Sequence, residues 1–187
     1  MAQPGGTGAV GPFPPGVDTD EAKDDYDKQR RRLLWKMPSG LYVLGSTDKA
    51  ERRNGMTINW VTQVAFEPKL LAASVELTAF THELIAGSGV FSLNFVSQED
   101  RAIVRKFTKP VEVDLVAHTL NGFPFHDGVT GAPILDQAVG YVDCEVRETI
   151  KLGDHTLFVG EVVQAGFQAD EETPVLRMED TRMSYGG

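Results

Sequence analysis

The sequence predicts a mainly β protein, an antiparallel barrel or sandwich with a few short helices, on three observations. Several segments rich in β-branched and aromatic residues are each bounded by Gly, Pro, Asn or Asp, as strands are. One of them, "AVGYVDCEVRE" (Ala138–Glu148), alternates with period two over its whole length. Only two or three stretches carry helical spacing, and about six or seven strands with so few helices favour a closed or packed antiparallel sheet.

Residues 1–17, "MAQPGGTGAVGPFPPGV", are rich in Gly and Pro and read as a flexible arm. Residues 18–36 switch to six acids and six bases, with Ala22, Tyr26, Leu33 and Leu34 as a sparse apolar stripe. That pattern predicts an amphipathic helix, capped by Asp18 with Glu21 three residues on and ended by Pro38 and Gly40. Strands follow at "GLYVLGST" (Gly40–Thr47), "GMTINWVTQV" (Gly55–Val64), "KLLAASVEL" (Lys69–Leu77) and "GVFSLNFVS" (Gly89–Ser97). Between the last two, "FTHELIAGSG" predicts a short helix with Thr81 as cap and Gly87 or Gly89 as stop.

"SQEDRAIVRKF" predicts a further helix, with Ser97 as cap and Asp100 completing a capping-box pattern. Residues 108–132 read as irregular, with "NGFPF" as a turn. In the alternating strand, Ala138, Gly140, Val142, Cys144 and Val146 take one face, and Tyr141, Asp143, Glu145 and Arg147 the other. "KLGD" then turns the chain, and "HTLFVGEVVQAGF" returns as the partner strand. The division expected is an arm over 1–17, a helix over 18–36, one barrel domain over 37–169 and an acidic C-terminal tail over 170–187.

The totals exclude several functions. A net charge of −9 and a pI near 4.9 repel polyanions, so nucleic acid and anionic membrane surfaces are not expected partners. Cys144 is the single cysteine, which rules out an intrachain disulfide and a thiolate zinc site. No apolar run reaches the roughly 18 residues of a membrane span, and no signal peptide is recognisable, so the cytoplasm is the expected compartment. The sequence holds no P-loop, no Gly-x-Gly-x-x-Gly, no Gly-x-Ser-x-Gly and no His-Glu-x-x-His, and its four histidines are scattered. By elimination, hard chemistry here belongs to a bound cofactor, with no metal expected.

One segment invites a ligand. "NGMTINWVTQVAFEP" (Asn54–Pro68) has one acid and no base, in a chain that is 24% charged. An uncharged polar face of Thr, Asn and Gln suits either an edge strand in water or the rim of a planar heterocycle.

The ordered blocks "MPSGLYVLGS", "NGMTINWVTQVAFEPKLLAASVE", "THELIAGSGVFSLNFVSQED" and "GDHTLFVGEV" together resemble the flavin reductase-like family of FMN-binding split barrels, from about Met37 to Phe167. The resemblance implies an antiparallel split β-barrel of Greek-key type with a few flanking helices. It implies a homodimer holding FMN, with FAD as an alternative, and hydride transfer from NADH or NADPH to the flavin. A monooxygenase component is then a natural recipient of reduced flavin. A tightly held FMN acting as an electron carrier is the rival reading, and a barrel binding some other small ligand or a partner protein, with no redox role, is another.

By the same resemblance, backbone groups of Thr57, Ile58, Asn59, Trp60 and Val61 run beside the isoalloxazine ring. Ser74, Val75, Thr81 and His82 lie around the ribityl chain and phosphate. Asn94 and Phe95 support the flavin, and Arg105 or Lys106 meets the phosphate. His155, at the start of a strand after a Gly-Asp turn, is the residue implied beside the nicotinamide, orienting its carboxamide. The C-terminal "RMEDTRMSYGG" departs from the aromatic, Gly-containing segment common at this place in the family.

Overall fold

The computed structural model describes residues 8–109 and 111–183, which fall into two compact units. In the first, helix α1 spans Asp20–Leu34. Its cap is Thr19, not Asp18: the Thr19 hydroxyl accepts the Ala22 N–H at 3.2 Å. The one-residue shift puts Asp20 and Glu21 in the first turn, with Arg31 and Arg32 in the last, both favourable to the helix dipole. Of the expected arm, residues 1–7 lie outside the described residues. Residues 8–17 lie along α1: Arg30 donates to the carbonyls of Val10 and Pro12, and the Phe13 ring meets Tyr26 edge-on at 6.3 Å.

The second unit, Ser39–Thr181, carries the sheets. Its first strands are β1 (Tyr42–Thr47), β2 (Arg53–Ile58), β3 (Val61–Ala65) and β4 (Leu70–Glu76), followed by α2 (Phe80–Ser88) and β5 (Val90–Phe95). After a 3-10 turn at Gln98–Asp100 come α3 (Ile103–Lys106), β6 (Val113–Asp114), β7 (Thr119–Leu120), β8 (Phe123–Asp127) and β9 (Pro133–Leu135). The long hairpin β10 (Gly140–Leu152) and β11 (His155–Phe167) and a last 3-10 turn at Met178–Asp180 complete the order.

Seven strands form one antiparallel sheet in the order β2-β1-β5-β10-β11-β4-β3. Its two outermost strands, β2 and β3, are consecutive in the chain and separated only by Asn59 and Trp60. Two residues span only about 7–10 Å, so the edges of the sheet must meet there. The sheet is therefore rolled into a barrel that, among the described residues, is split without a ladder between β2 and β3. The segment expected as a single strand, Gly55–Val64, is two strands with the seam between them.

Alternation sorts the side chains into an inner and an outer set. Leu44, Ile58, Ala73, Val75, Phe91, Leu93, Cys144 and Phe158 point inward and, with Ile85 of α2, form the core. Gly160 faces them because a Cβ there would lie 2.6 Å from the Phe91 ring and 3.0 Å from Cys144. Burial pushes the Cys144 thiol up to about 12, so it is an inert packing group.

The outer face of β5 is buried too, because the small sheet β6-β7-β8-β9 covers it. Ser92 donates to the Pro133 carbonyl, and Asn94 donates to Val43 O at 3.1 Å while accepting Leu135 N–H at 2.8 Å. Asp143, on the β10 face expected to be wet, is fully buried and accepts from the Thr130 amide (2.9 Å) and hydroxyl (2.6 Å). This small sheet occupies the region expected to be irregular. Its β7–β8 hairpin turns at Asn121–Gly122, both with positive φ (52° and 79°), the geometry that Asn-Gly supplies in tight hairpins.

Three further expectations change. Thr81 sits inside α2, whose cap position is Ala79; the expected stop at Gly89 is present, with φ of 70°. The Ser97 hydroxyl does accept an N–H, that of Glu99, but the expected single helix is broken into the 3-10 turn and α3. The end of the chain, expected as a tail from residue 170, is a strap over part of its length. Bridges pair Gly40 with Arg177 and Ser97 with Val175, and Leu176 is wholly buried between them. Leu41 N donates to Leu176 O and Leu176 N to Val96 O, so the strap ties the start of β1 to the end of β5. Of the apolar residues in the strap only Leu176 is wholly buried, and one such residue is too small a sequence signal to outweigh the acidic run before it.

Replacing Leu176 by Ala should lower stability by about 3 kcal/mol in urea unfolding, because it empties a fully buried site in a strap held otherwise by backbone bonds.

Candidate functional site

The seam places Trp60 on the outer face. The Trp60 carbonyl accepts Ser74 N–H at 3.0 Å, which holds the link against β4. Ser74 pairs with Leu157 and Glu76 with His155, so Ser74, Glu76 and His155 share that outer face. The Trp60 and His155 rings lie 4.9 Å apart at 48°, with Trp60 38% exposed and His155 9%. His155 Nδ1 meets Asp154 Oδ1 at 2.7 Å, and this bond holds the Asp154 carboxyl below its ordinary range. Asp154 itself is fixed by its carbonyl, which accepts Leu77 N–H at 2.9 Å.

The inner face of the same strand pair carries a different group. Thr156 pairs with Val75, and its hydroxyl lies 2.8 Å from His82 Nε2. The His82 ring is 5.3 Å from Phe158. Burial, and then the nearby Lys151, keep the His82 imidazole more easily neutral than a free one. Thr81, fully buried, accepts from Asn54 Nδ2 at 2.7 Å. Its hydroxyl is thus engaged inside the protein, as an internal partner for the polar start of β2.

Each sequence-expected residue can now be placed. The structure gathers Trp60, Ser74 and His155 on one outer wall. Thr57 is tied to the α3 segment, with its N–H on Phe107 O at 3.0 Å and its hydroxyl on Val104 O, which brings β2 next to exposed Arg105. Asn59 is buried at the seam, with its amide 3.4 Å from the Ser39 hydroxyl. Ile58 and Val75 face the core, and Val61 packs against it. Phe95 packs edge-on to Tyr42 at 5.3 Å on the inner side, whereas Asn94 bridges the two sheets. Val75 and His82 therefore lie on the inner side of the β4–β11 pair, Thr81 is engaged with Asn54 of β2, and Asn94 and Phe95 stand on β5, which is separated from β11 by β10.

Asp154 is expected from the sequence as a structural partner of His155, and the bond between them is present; Thr156 and Glu76 are not singled out by the sequence. Period-two alternation along β11 is the available signal for Thr156, since it puts residue 156 on the face opposite to 155. The partners on β4 are 79 to 83 residues away and have no local signature.

The seam suits a flat ring with a polar rim. Residues 54–65 carry no charged side chain, and among the described residues β2 and β3 each have a ladder partner on one side only. An exposed indole and unladdered backbone edges are what an uncharged heterocycle can use.

The flavin reductase like domain matches residues 34–186. The chain belongs to the flavin reductase-like family. It is 29% identical over 132 residues to the stachydrine N-demethylase reductase subunit Stc3 of Rhizobium meliloti (strain 1021), covering 71% of this chain and 55% of that one. It is 27% identical over 147 residues to the NADH-dependent flavin reductase StyB of Pseudomonas fluorescens, covering 78% of this chain and 82% of the relative. The solved structure of the NADH:FAD oxidoreductase SgcE6 of Streptomyces globisporus, in complex with NAD and FAD fragments, superposes with a TM-score of 0.68. That match is 23% identical and covers 82% of this chain and 88% of the other, so it shows the split-barrel fold. The chain spans 55% and 38% of the lengths of the first two curated relatives it matches.

Thr81→Val should cost about 2 kcal/mol by leaving the buried Asn54 amide without its acceptor, while Thr81→Ser should cost less than about half of that, both read by urea unfolding. A second expectation concerns pH. His82 is held below its ordinary value in the fold, so the unfolded chain binds the proton more readily and stability falls as pH drops through that ordinary value toward the folded one. His82→Gln, which keeps a partner for Thr156, should flatten the change in urea midpoint between about pH 7.5 and 5. An unchanged slope would remove His82 as its source.

Proposed function

We propose that the chain is an NAD(P)H-dependent flavin reductase working as a cytoplasmic homodimer, with FMN held at the seam of residues 37–169 and FAD as an alternative. The observation that carries this is the outer wall, where Trp60, Ser74 and His155 meet at an uncharged split between two edge strands. Membership of the family supports it, as do relatives named as NADH-dependent flavin reductases. A reductase subunit and a monooxygenase component B among the relatives support a role in supplying reduced flavin to an oxygenase partner. No helix among the described residues is long and apolar enough to cross a membrane.

Bound flavin supplies the hydride acceptor. The backbone of Thr57–Val61 offers donors and acceptors to its polar rim, and Ser74 adds a hydroxyl at the same level. Arg105, carried by the segment that Thr57 anchors, faces solvent where a phosphate can reach it. Val75 and His82 stand on the inner side of the strands that carry this wall, Thr81 anchors the start of β2 through Asn54, and Asn94 and Phe95 lie on β5. His155, held by Asp154, orients the nicotinamide carboxamide, a task of placement, since hydride transfer needs donor carbon and acceptor nitrogen stacked at contact distance.

An anaerobic absorbance titration of FMN-loaded protein with NADH, then NADPH, tests this. Rapid bleaching of the flavin band near ~450 nm is expected, slowed by about tenfold in His155→Ala. Flavin that stays bound and oxidised would replace the reductase with an electron carrier, and failure to bind any flavin would leave a ligand-binding barrel without redox chemistry.

A further inference from the structure

Helix α3 has only four residues, too few to be stable alone, and it is held by donors from outside it. The last carbonyls of a helix have no acceptor role within it. Here the Val104 carbonyl accepts the Thr57 hydroxyl, Arg105 O accepts the Thr108 hydroxyl at 2.9 Å, and Phe107 O accepts Thr57 N–H at 3.0 Å. The remaining carbonyl, Lys106 O, accepts Nδ2 of Asn121 at 2.7 Å. Asn121 belongs to the β7–β8 turn of the small sheet, not to the barrel.

The same side chain makes a second bond. Its Oδ1 accepts Glu112 N–H at 2.9 Å, while its backbone N–H donates to Glu112 O at 2.8 Å. The partners fix which way the amide points, since a carbonyl needs a donor and an N–H needs an acceptor. One residue therefore grips the chain at Lys106 and at Glu112, on either side of residues 107–111. The turn alone does not require this, because Gly adopts the φ of 52° at least as well as Asn.

The gripped segment carries charge. Residues 101–109 contain Arg101, Arg105, Lys106 and Lys109 and no acid. Among the described residues none of these four makes an ion pair, whereas Arg52, Arg53, Arg147 and Arg177 of the same unit each hold a carboxylate. Unpaired cations gathered in a chain of net charge −9 are a local positive field for an anion.

We propose that Asn121 is a positioning residue for phosphate binding: its amide fixes the end of α3 so that Arg105 is presented to a phosphate of the bound nucleotide. This rests on the reading above, in which Arg105 meets a phosphate. Both FMN and the nicotinamide dinucleotide carry such a group, and the shared chemistry is a phosphate ester.

The test compares FMN with riboflavin, the same ring without the phosphate, by fluorescence titration of the full chain. Asn121→Gly keeps the turn, since Gly-Gly is accepted there, and removes both side-chain bonds. It should weaken FMN binding about fivefold and change riboflavin binding less than about twofold. Arg105→Ala should remove most of the preference for FMN over riboflavin. Adding Asn121→Gly to it should then change FMN affinity less than about twofold, because the amide acts through that guanidinium. If flavin binding is unaffected while KM for NADH rises about fivefold at nearly constant kcat, and Arg105→Ala again absorbs the effect, the proposal stands with the dinucleotide as the source of the phosphate. Equal weakening of FMN and riboflavin, or a loss that persists undiminished in Arg105→Ala, makes Asn121 merely structural and overturns it. Unchanged FMN, riboflavin and NADH values in Asn121→Gly overturn it too. Failure of the underlying reading is distinct, because it shows without any change at Asn121: the wild type would bind no flavin, or Arg105→Ala would alter neither FMN nor NADH.

Discussion

The two-residue link between β2 and β3 is the constraint on which the rest of this fold depends. A seven-stranded antiparallel sheet has two edges, and edges are exposed rows of backbone donors and acceptors that invite unwanted pairing. Here the chain runs directly from one edge strand to the other through Asn59 and Trp60. That forces the edges together and curls the sheet, yet among the described residues no ladder joins them. The result is a barrel with one seam, and the closure of the sheet comes from that short segment. The bond from Ser74 N to Trp60 O fixes the seam relative to β4, so the link cannot swing freely.

The second consequence is a sorting of side chains by face. Strand β5 is covered on both sides, by the barrel core within and by the small sheet without, and its outward Ser92 and Asn94 are polar. Burying them is tolerable because each is bonded to backbone groups around Pro133 and Leu135. Gly45 belongs to the same arrangement: a Cβ there would lie 2.5 Å from the Pro133 carbonyl, so the strand's lack of a side chain lets the small sheet approach. Asn94 is therefore a joint between two sheets.

Much of this was legible in the sequence, and the reasons follow the range of each interaction. The hairpin of β10 and β11 was readable because period-two alternation and a Gly-Asp turn are local signals. The helix stop at Gly89 was readable for the same reason. The seam was not: Gly55–Val64 is a continuous run of good strand formers, and the break at Asn59–Trp60 arises from closure of the whole sheet. The strands of the small sheet, two to five residues long, were too short to show a period. Thr81 was read as a cap because a hydroxyl near a helix start usually is one, whereas its partner is Asn54, 27 residues earlier. The site suffered the same limit. Sequence order grouped Ser74, Val75, Thr81 and His82 together, but alternation along β4 sends Ser74 outward and Val75 inward.

The two histidines nearest the site show what that sorting does to chemistry. Thr156, which holds His82, is adjacent in sequence to His155, yet the two rings stand on opposite faces of the β4–β11 pair. His82 has the Thr156 hydroxyl for a partner and the Phe158 ring beside it, and its burial, then the nearby Lys151, favour the neutral imidazole. It serves as a rigid, uncharged brace inside the mouth of the barrel. His155 has a carboxylate for a partner and an indole over its face. A carboxylate on one ring nitrogen fixes the orientation of the other, as in any site where imidazole must present a single defined atom to a ligand. Strand alternation alone separates these environments, by a single residue of register.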